Sequence, residues 1–181
     1  MIVLGCDVGA HTGLAVLNVG PFVSCLHRVT VTPGEVTLTL REILGQWPIN
    51  AVGIETPSQV FAHGRAKGDM GARIGIERAL LAARDVAGVV RGTVEALKPG
   101  TPVFDGQAHE VRKIVGKMRR GHADQCVKVF VLAAVRDWLP GKGDNDHNRD
   151  AAVAALWAAR RSRMPQPVVT KKAPRRARRA S

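Results

Sequence analysis

The chain is poor in cysteine. Cys6, Cys25 and Cys126 lie far apart and none belongs to a Cys-x-x-Cys pair, which excludes a disulfide framework and a cysteine-type zinc site. An odd, scattered set, two of them inside apolar runs, is what reduced core residues look like. Long hydrophobic runs are also missing: the longest late stretch, Ala151 to Ala159, is far too short to span a bilayer. The first apolar run already holds Asp7, which excludes a signal peptide. No Gly-x-x-x-x-Gly-Lys-Ser/Thr occurs, so a phosphate-binding P-loop is absent. The expectation is a soluble, intracellular protein with no membrane partner.

Acid is missing from one end. Arg160 to Ser181 carries nine Lys or Arg, three Pro and no Asp or Glu, with little that could build a core. It reads as a disordered basic tail. The formal net charge of +12 therefore resides mostly there, because the remaining eighteen basic residues face fifteen acids. A chain of 181 residues fits one domain with a real core. That domain is expected over 1–160, followed by the tail at 161–181.

Met1 to Asp7 is an apolar, β-rich run ending in a carboxylate and then Gly9, the pattern of a buried strand that pushes one acid out of the core. Gly13 to Val19 and Phe22 to Val31 read as the next two strands. Glu35 to Trp47 has helical spacing and is closed by Pro48. Ala51-Val52-Gly53-Ile54-Glu55 repeats the first strand's design, with Pro57 forbidding its continuation. Ser58 to Gly68 is a polar loop containing Phe61, Arg65 and Lys67. Met70, Ile74, Ala79, Leu80, Ala83, Val86 and Val90 then mark one long helix whose apolar face serves either its own sheet or a subunit interface. Thr101 to Phe104 reads as a short strand, at an edge or a strand start because of Pro102.

From Gln107 the chain turns basic, with Arg112, Lys113, Lys117, Arg119 and Arg120. Lys113 and Lys117, four apart, would share a helix face that either meets a phosphate backbone or is simply solvated. Ala123 to Trp138 reads as an amphipathic helix, Gly141 to Asn148 as a linker, and Asp150 to Ala159 as an alanine-rich helix fit for close packing on a sheet.

The spacing Asp144, Asp146, Asn148, Asp150 invites a calcium-loop reading, but position six is Arg149 instead of Gly and position twelve is Ala155 instead of Glu. That reading fails. What remains is Asp7 and Glu55 at strand ends and Asp150 at a helix start, with His147 three residues before it on the same helical side. Hard oxygen donors with one nitrogen suit Mg2+ or Mn2+ better than Zn2+. Two such ions can activate a water and stabilise the leaving oxygen of a phosphodiester, chemistry suited to a basic protein.

The order of these motifs, Gly5-Cys6-Asp7-Val8-Gly9 with Gly13, then Gly53-Ile54-Glu55, Val111-Arg112-Lys113-Ile114-Val115-Gly116, and His147-Asn148-Arg149-Asp150-Ala151-Ala152-Val153-Ala154, resembles the RuvC family of Holliday-junction resolvases within the RNase H-like superfamily. The resemblance spans residues 1 to 160. It implies an α/β fold with a five-stranded mixed sheet flanked by helices, and a homodimer that makes paired nicks in a four-way DNA junction. Asp7, Glu55 and Asp150 would match three metal-binding carboxylates. His147 falls where relatives carry Asp or His, and Lys113 or Lys117 would match a basic residue near the scissile phosphate. Phe61 lies in the loop where relatives carry an aromatic wedge, though six residues beyond Glu55 is further than the family's usual spacing. Arg65, Lys67, Arg112, Arg119 and Arg120 would add DNA contacts. The setting implied is cytoplasmic and nucleoid-associated, bacterial or phage-encoded.

Other classes stay open. One is another RNase H-like nuclease, acting on branched DNA or RNA–DNA hybrid. A non-catalytic nucleic-acid-binding protein of the same fold would leave the separated acids unexplained. Actin-like kinases share Asp-x-Gly before a hairpin, but this chain is too short for two such lobes.

Overall fold

Alternation along the first strand divides the molecule into two layers. In the computed structural model, which describes residues 1–57, 70–116, 122–138 and 144–163, the opening run forms β1 (Ile2–Asp7). Leu4 and Cys6 point into one apolar cluster and Val3 into another on the opposite face, as period-two geometry requires. β1 pairs antiparallel with β2 (Thr12–Val19) and parallel with β4 (Ala51–Thr56). β3 (Val23–Val31) extends the antiparallel side, and β5 (Val103–Gln107) the parallel side. The result is one five-stranded mixed sheet in the order β3-β2-β1-β4-β5. The β2–β3 register shifts beside Val16 and Leu17, which face His27 and Cys25; Leu26, left between them, is exposed.

Leu4, Leu14, Val16, Val52 and Ile54 pack against α1 (Val36–Gln46) and α2 (Met70–Leu97). The opposite face is covered by α4 (Ala123–Ala134) and α5 (Asp146–Arg163), with α3 (Ala108–Val111) and a 3-10 turn at Arg112–Val115 closing one end. Among the described residues, no helix is long and apolar enough to cross a membrane.

The close seating of α5 comes from glycine in the sheet and alanine in the helix. A Cβ on Gly13 of β2 would overlap the His147 carbonyl, one on Gly5 of β1 the Ala151 carbonyl, and one on Gly53 of β4 the Ala154 carbonyl. On β5, a Cβ on Gly106 would stand 2.8 Å from the Trp157 ring. Four glycines on adjacent strands thus form a track under a helix whose contact positions are largely Ala151, Ala152, Ala154, Ala155 and Ala158, all fully buried.

Several boundaries differ from those expected. α5 begins at Asp146, so residues 146–148, expected in a linker, are its first turn. Asn145 is the reason: its Oδ1 accepts the Asn148 N–H at 2.9 Å, and its backbone carbonyl accepts the Arg149 N–H at 3.1 Å. α4 stops at Ala134, because Val135 turns extended and bridges to Val23 while the Arg136 N–H bonds the Val23 carbonyl at 2.8 Å. β5 runs on to Gln107, because its backbone stays paired with β4 as far as Thr56. α2 runs on to Leu97, and of its expected inner face only Ala83, Val86 and Val90 are buried, whereas Met70 and Ile74 are exposed. Length explains this: 28 residues make a helix of about 42 Å, against about 20 Å for a six-residue strand.

Candidate active site

Asp7 and Glu55 meet because strand register and strand face agree. Parallel pairing sets Asp7 directly opposite Glu55, as it sets Gly5 opposite Gly53. Both acids lie two residues beyond their glycine, so both project towards α5. α5 crosses the same strands diagonally, and its first turns carry His147 and Asp150 to them. Asp7, Glu55, His147 and Asp150 are therefore gathered at one end of the sheet, as their positions at element ends led us to expect.

The contacts are specific. His147 Nδ1 stands 2.9 Å from Asp7 Oδ2. Held to Asp7 through Nδ1, the ring leaves Nε2 for another partner. Arg112 enters from the 3-10 turn: its Nε donates to Glu55 Oε1 at 3.2 Å and its Nη2 to Asp150 Oδ2 at 2.6 Å. Its Nη1 lies 3.9 Å from Asp124 Oδ1. The other Glu55 oxygen, Oε2, is buried and has no hydrogen-bond partner among the described residues.

Burial and crowding set the protonation of the cluster. The Glu55 side chain is 3% exposed. Desolvation, reinforced by Asp150 and Asp7 and only partly opposed by Arg112, pushes its carboxyl up to about 9. Desolvation likewise raises Asp150 to about 7, with Asp7, Asp124 and Asp146 adding to it against the pull of Arg112. His147 is raised above the usual imidazole range, first by its hydrogen bond to Asp7, then by the charges of Asp7, Asp150 and Asp146, against its own burial. One guanidinium does not balance this much acid, and a further cation would find carboxylate oxygens to bind.

A polar brace fixes the helix start. Thr30 of β3 donates to Asn148 Oδ1 at 3.1 Å and accepts from Asn145 Nδ2 at 2.8 Å. Asp144 Oδ1 accepts from Trp138 Nε1 at 3.0 Å and from Arg149 Nη1 at 3.2 Å, and Arg149 also pairs with Asp146. Buried Asn148 and Arg149 thereby hold the turn that presents His147 and Asp150.

The basic segment is shorter in helix than expected. It leaves helical conformation at Gly116, which has a φ of +85°, so the helical face expected to join Lys113 to Lys117 ends at Val115. Lys113 is exposed beside Arg112. Lys117, Arg119, Arg120, Phe61, Arg65 and Lys67 lie outside the described residues. Two features escaped sequence reasoning: the bridging position of Arg112, and His11, whose ring lies 6.0 Å from that of His147. An arginine in a basic run carries no mark of facing inward, and a loop histidine carries no mark of its neighbour.

Among the described residues, no three His, Cys, Asp or Glu side chains form a ready-made cation cage, and Arg112 holds two of the acids instead. The donor set still fits a hard divalent ion, being carboxylate oxygens and one imidazole, with one Glu55 oxygen that no described residue bonds.

A mixed sheet with three antiparallel strands followed by two parallel ones and flanked by helices is an RNase H-like α/β fold, and here it carries acids at the ends of β1 and β4 and on α5. No family model and no curated protein matches the chain. Solved structures narrow the fold to that of the RuvC resolvases. T. thermophilus RuvC in complex with Holliday junction substrate is similar at a TM-score of 0.65 and 20% identity, over 91% of this chain and 96% of that one. A second Thermus thermophilus RuvC structure gives 0.61 and 21% over the same shares. The yeast mitochondrial Holliday junction resolvase Ydc2 gives 0.53 and 13%, over 86% of this chain and 76% of that one.

Proposed function

We propose that this chain is a metal-dependent endonuclease of the RuvC type that resolves four-way DNA junctions by paired nicks, in recombination, repair or phage DNA processing. The observation that carries the reading is the convergence of Asp7, Glu55 and Asp150, from three separate elements, in a fold shared with junction resolvases.

Asp7, Glu55, Asp150 and His147 would hold Mg2+ or Mn2+, two ions in all, which when bound activate a water and stabilise the leaving oxygen of a phosphodiester. The Asp7 hydrogen bond turns His147 so that Nε2 is its open donor. Burial keeps Glu55 out of bulk water, so its carboxylate, once a bound cation takes the place of its proton, would be little screened. Exposed Lys113 offers a charge to the phosphate backbone, joined in this reading by Lys117, Arg112, Arg119, Arg120, Arg65 and Lys67. Phe61 would be the wedge at the branch point. Residues 1–163, three more than expected because α5 runs on to Arg163, would be the catalytic unit and the basic remainder a nonspecific DNA-binding tail. Two opposed nicks need two sites, which a homodimer provides.

The test is cleavage of a labelled four-way junction with Mg2+ or Mn2+, beside duplex, fork and RNA–DNA hybrid. Paired symmetric nicks in the junction are expected. Preferential cutting of the hybrid would move the chain to another RNase H-like activity, and no cutting of any substrate with either ion would contradict a nuclease.

A further inference from the structure

Arg112 stands where its charge is used twice. The guanidinium is planar and presents two donors in a fork, and here the fork spans two acids from different elements, Glu55 on β4 and Asp150 on α5. The arginine is delivered rigidly. Val111 just before it is fully buried, and Gln107 and Glu110 close a reciprocal cap at the start of α3. Its side chain is only 21% exposed, against 3% for Glu55 and 10% for Asp150.

Those two carboxylates are also the ones the proposed function gives to the divalent ions. The lone pairs of Glu55 Oε1 and Asp150 Oδ2 that accept from Arg112 are not free for a cation while the fork is closed. Asp124 Oδ1, 3.9 Å from Nη1 on a side chain that is 73% exposed, marks a way out for the guanidinium. Resting on that reading of the site, we propose that Arg112 is a resident counter-cation: it keeps Glu55 and Asp150 together before an ion arrives, and the ion exchanges with it. Arg112 then swings towards Asp124 and the solvent, where its charge is available to a DNA phosphate. It is a positioning residue in the ion-free protein and a substrate contact in the loaded one.

The experiment is Mn2+ binding by calorimetry to the full-length chain without DNA, together with thermal melting with and without the ion. A closed fork lowers apparent ion affinity by the fraction of molecules in which it is open. Arg112→Gln should therefore tighten Mn2+ roughly tenfold, lower the ion-free melting temperature, and enlarge the rise that Mn2+ produces. Arg112→Lys keeps the charge but cannot hold both carboxylates in one plane, so it should tighten Mn2+ as well. Asp124→Asn, at an exposed position, removes the alternative partner and should weaken Mn2+ several-fold. Tightening in the Gln variant with no change in the Lys variant would mean through-space repulsion alone and would overturn the exchange. So would weaker binding in both, or unchanged binding in Asp124→Asn. If the parent binds no Mn2+, the metal reading falls too, whereas ion binding that is indifferent to these variants overturns only the exchange.

Discussion

A carboxyl buried beside other carboxyls holds its proton, and this makes the ion-free site sensitive to pH in one direction. Glu55 and Asp150 are raised to about 9 and about 7 by desolvation first and by their acidic neighbours next. The folded chain therefore binds more protons than the unfolded one above the ordinary carboxylate range, and stability falls as pH rises through those values. His147 has the same sign. Its raised value, caused first by the Asp7 hydrogen bond, gives stability present below the ordinary imidazole value and lost as pH climbs past the folded one. In EDTA the melting temperature should fall between pH 5 and pH 9, and Mn2+ at the alkaline end should restore it. A melting temperature that rises with pH and ignores Mn2+ would contradict the cluster. His147 adds a second test at this scale. Nitrogen is a softer donor than carboxylate, so His147→Asp should shift the Mn2+-to-Mg2+ activity ratio towards Mg2+, and His147→Ala should depress cleavage with either ion. Asp7 and Glu55 stood out in the sequence because each closes an apolar strand, and Asp150 because it precedes an alanine-rich run with His147 three residues before it; one such acid alone would read as a turn cap. Arg112 was legible only as one basic residue among several, since the sequence does not show which of two adjacent charges faces inward.

At the scale of elements, the position of α5 decides the site, and glycine decides the position of α5. Gly5→Ala or Gly53→Ala must push the helix off the sheet, because the new methyl meets backbone atoms that cannot rotate away. A loss of about 1–3 kcal/mol is expected for either, read from denaturant melts, and ion binding should weaken with it because Asp150 rides on the same helix. Gly45 of α1 is the control: a Cβ there meets nothing within 4 Å. Gly45→Ala should leave ion binding alone and stabilise by roughly 0.5–1 kcal/mol. The alanine-rich helix was legible as one built for close packing, yet the matching glycines, spread over four strands, became a track only once register was known. Helix ends were less legible. The start of α5 depends on Asn145 capping Asn148 and on Thr30 bracing both, and the end of α4 depends on Val135 finding Val23. These are tertiary contacts that local spacing does not contain.

At the scale of the whole molecule, charge and shape divide the work. Nine positive residues without an acid in Arg160 to Ser181 suit phosphate contacts that read no structure. Deleting Pro165 to Ser181 should weaken binding to all DNA shapes alike and flatten its salt dependence, with the preference for junctions retained. Loss of junction binding alone would assign the tail to shape recognition. The exposed apolar residues in the first half of α2, Met70, Ile74 and Leu81, suit a homodimer, and light scattering at micromolar concentration should give about twice the chain mass. A strict monomer with junction present would remove the basis for paired nicks. The most direct test of the central claim is Asp7→Asn on the four-way junction, because the substitution keeps the shape and removes the charge. Cleavage with Mg2+ or Mn2+ should fall by at least roughly 100-fold while junction binding is unchanged; cleavage retained near the parent rate would mean that the acids at this end of the sheet do not carry the chemistry.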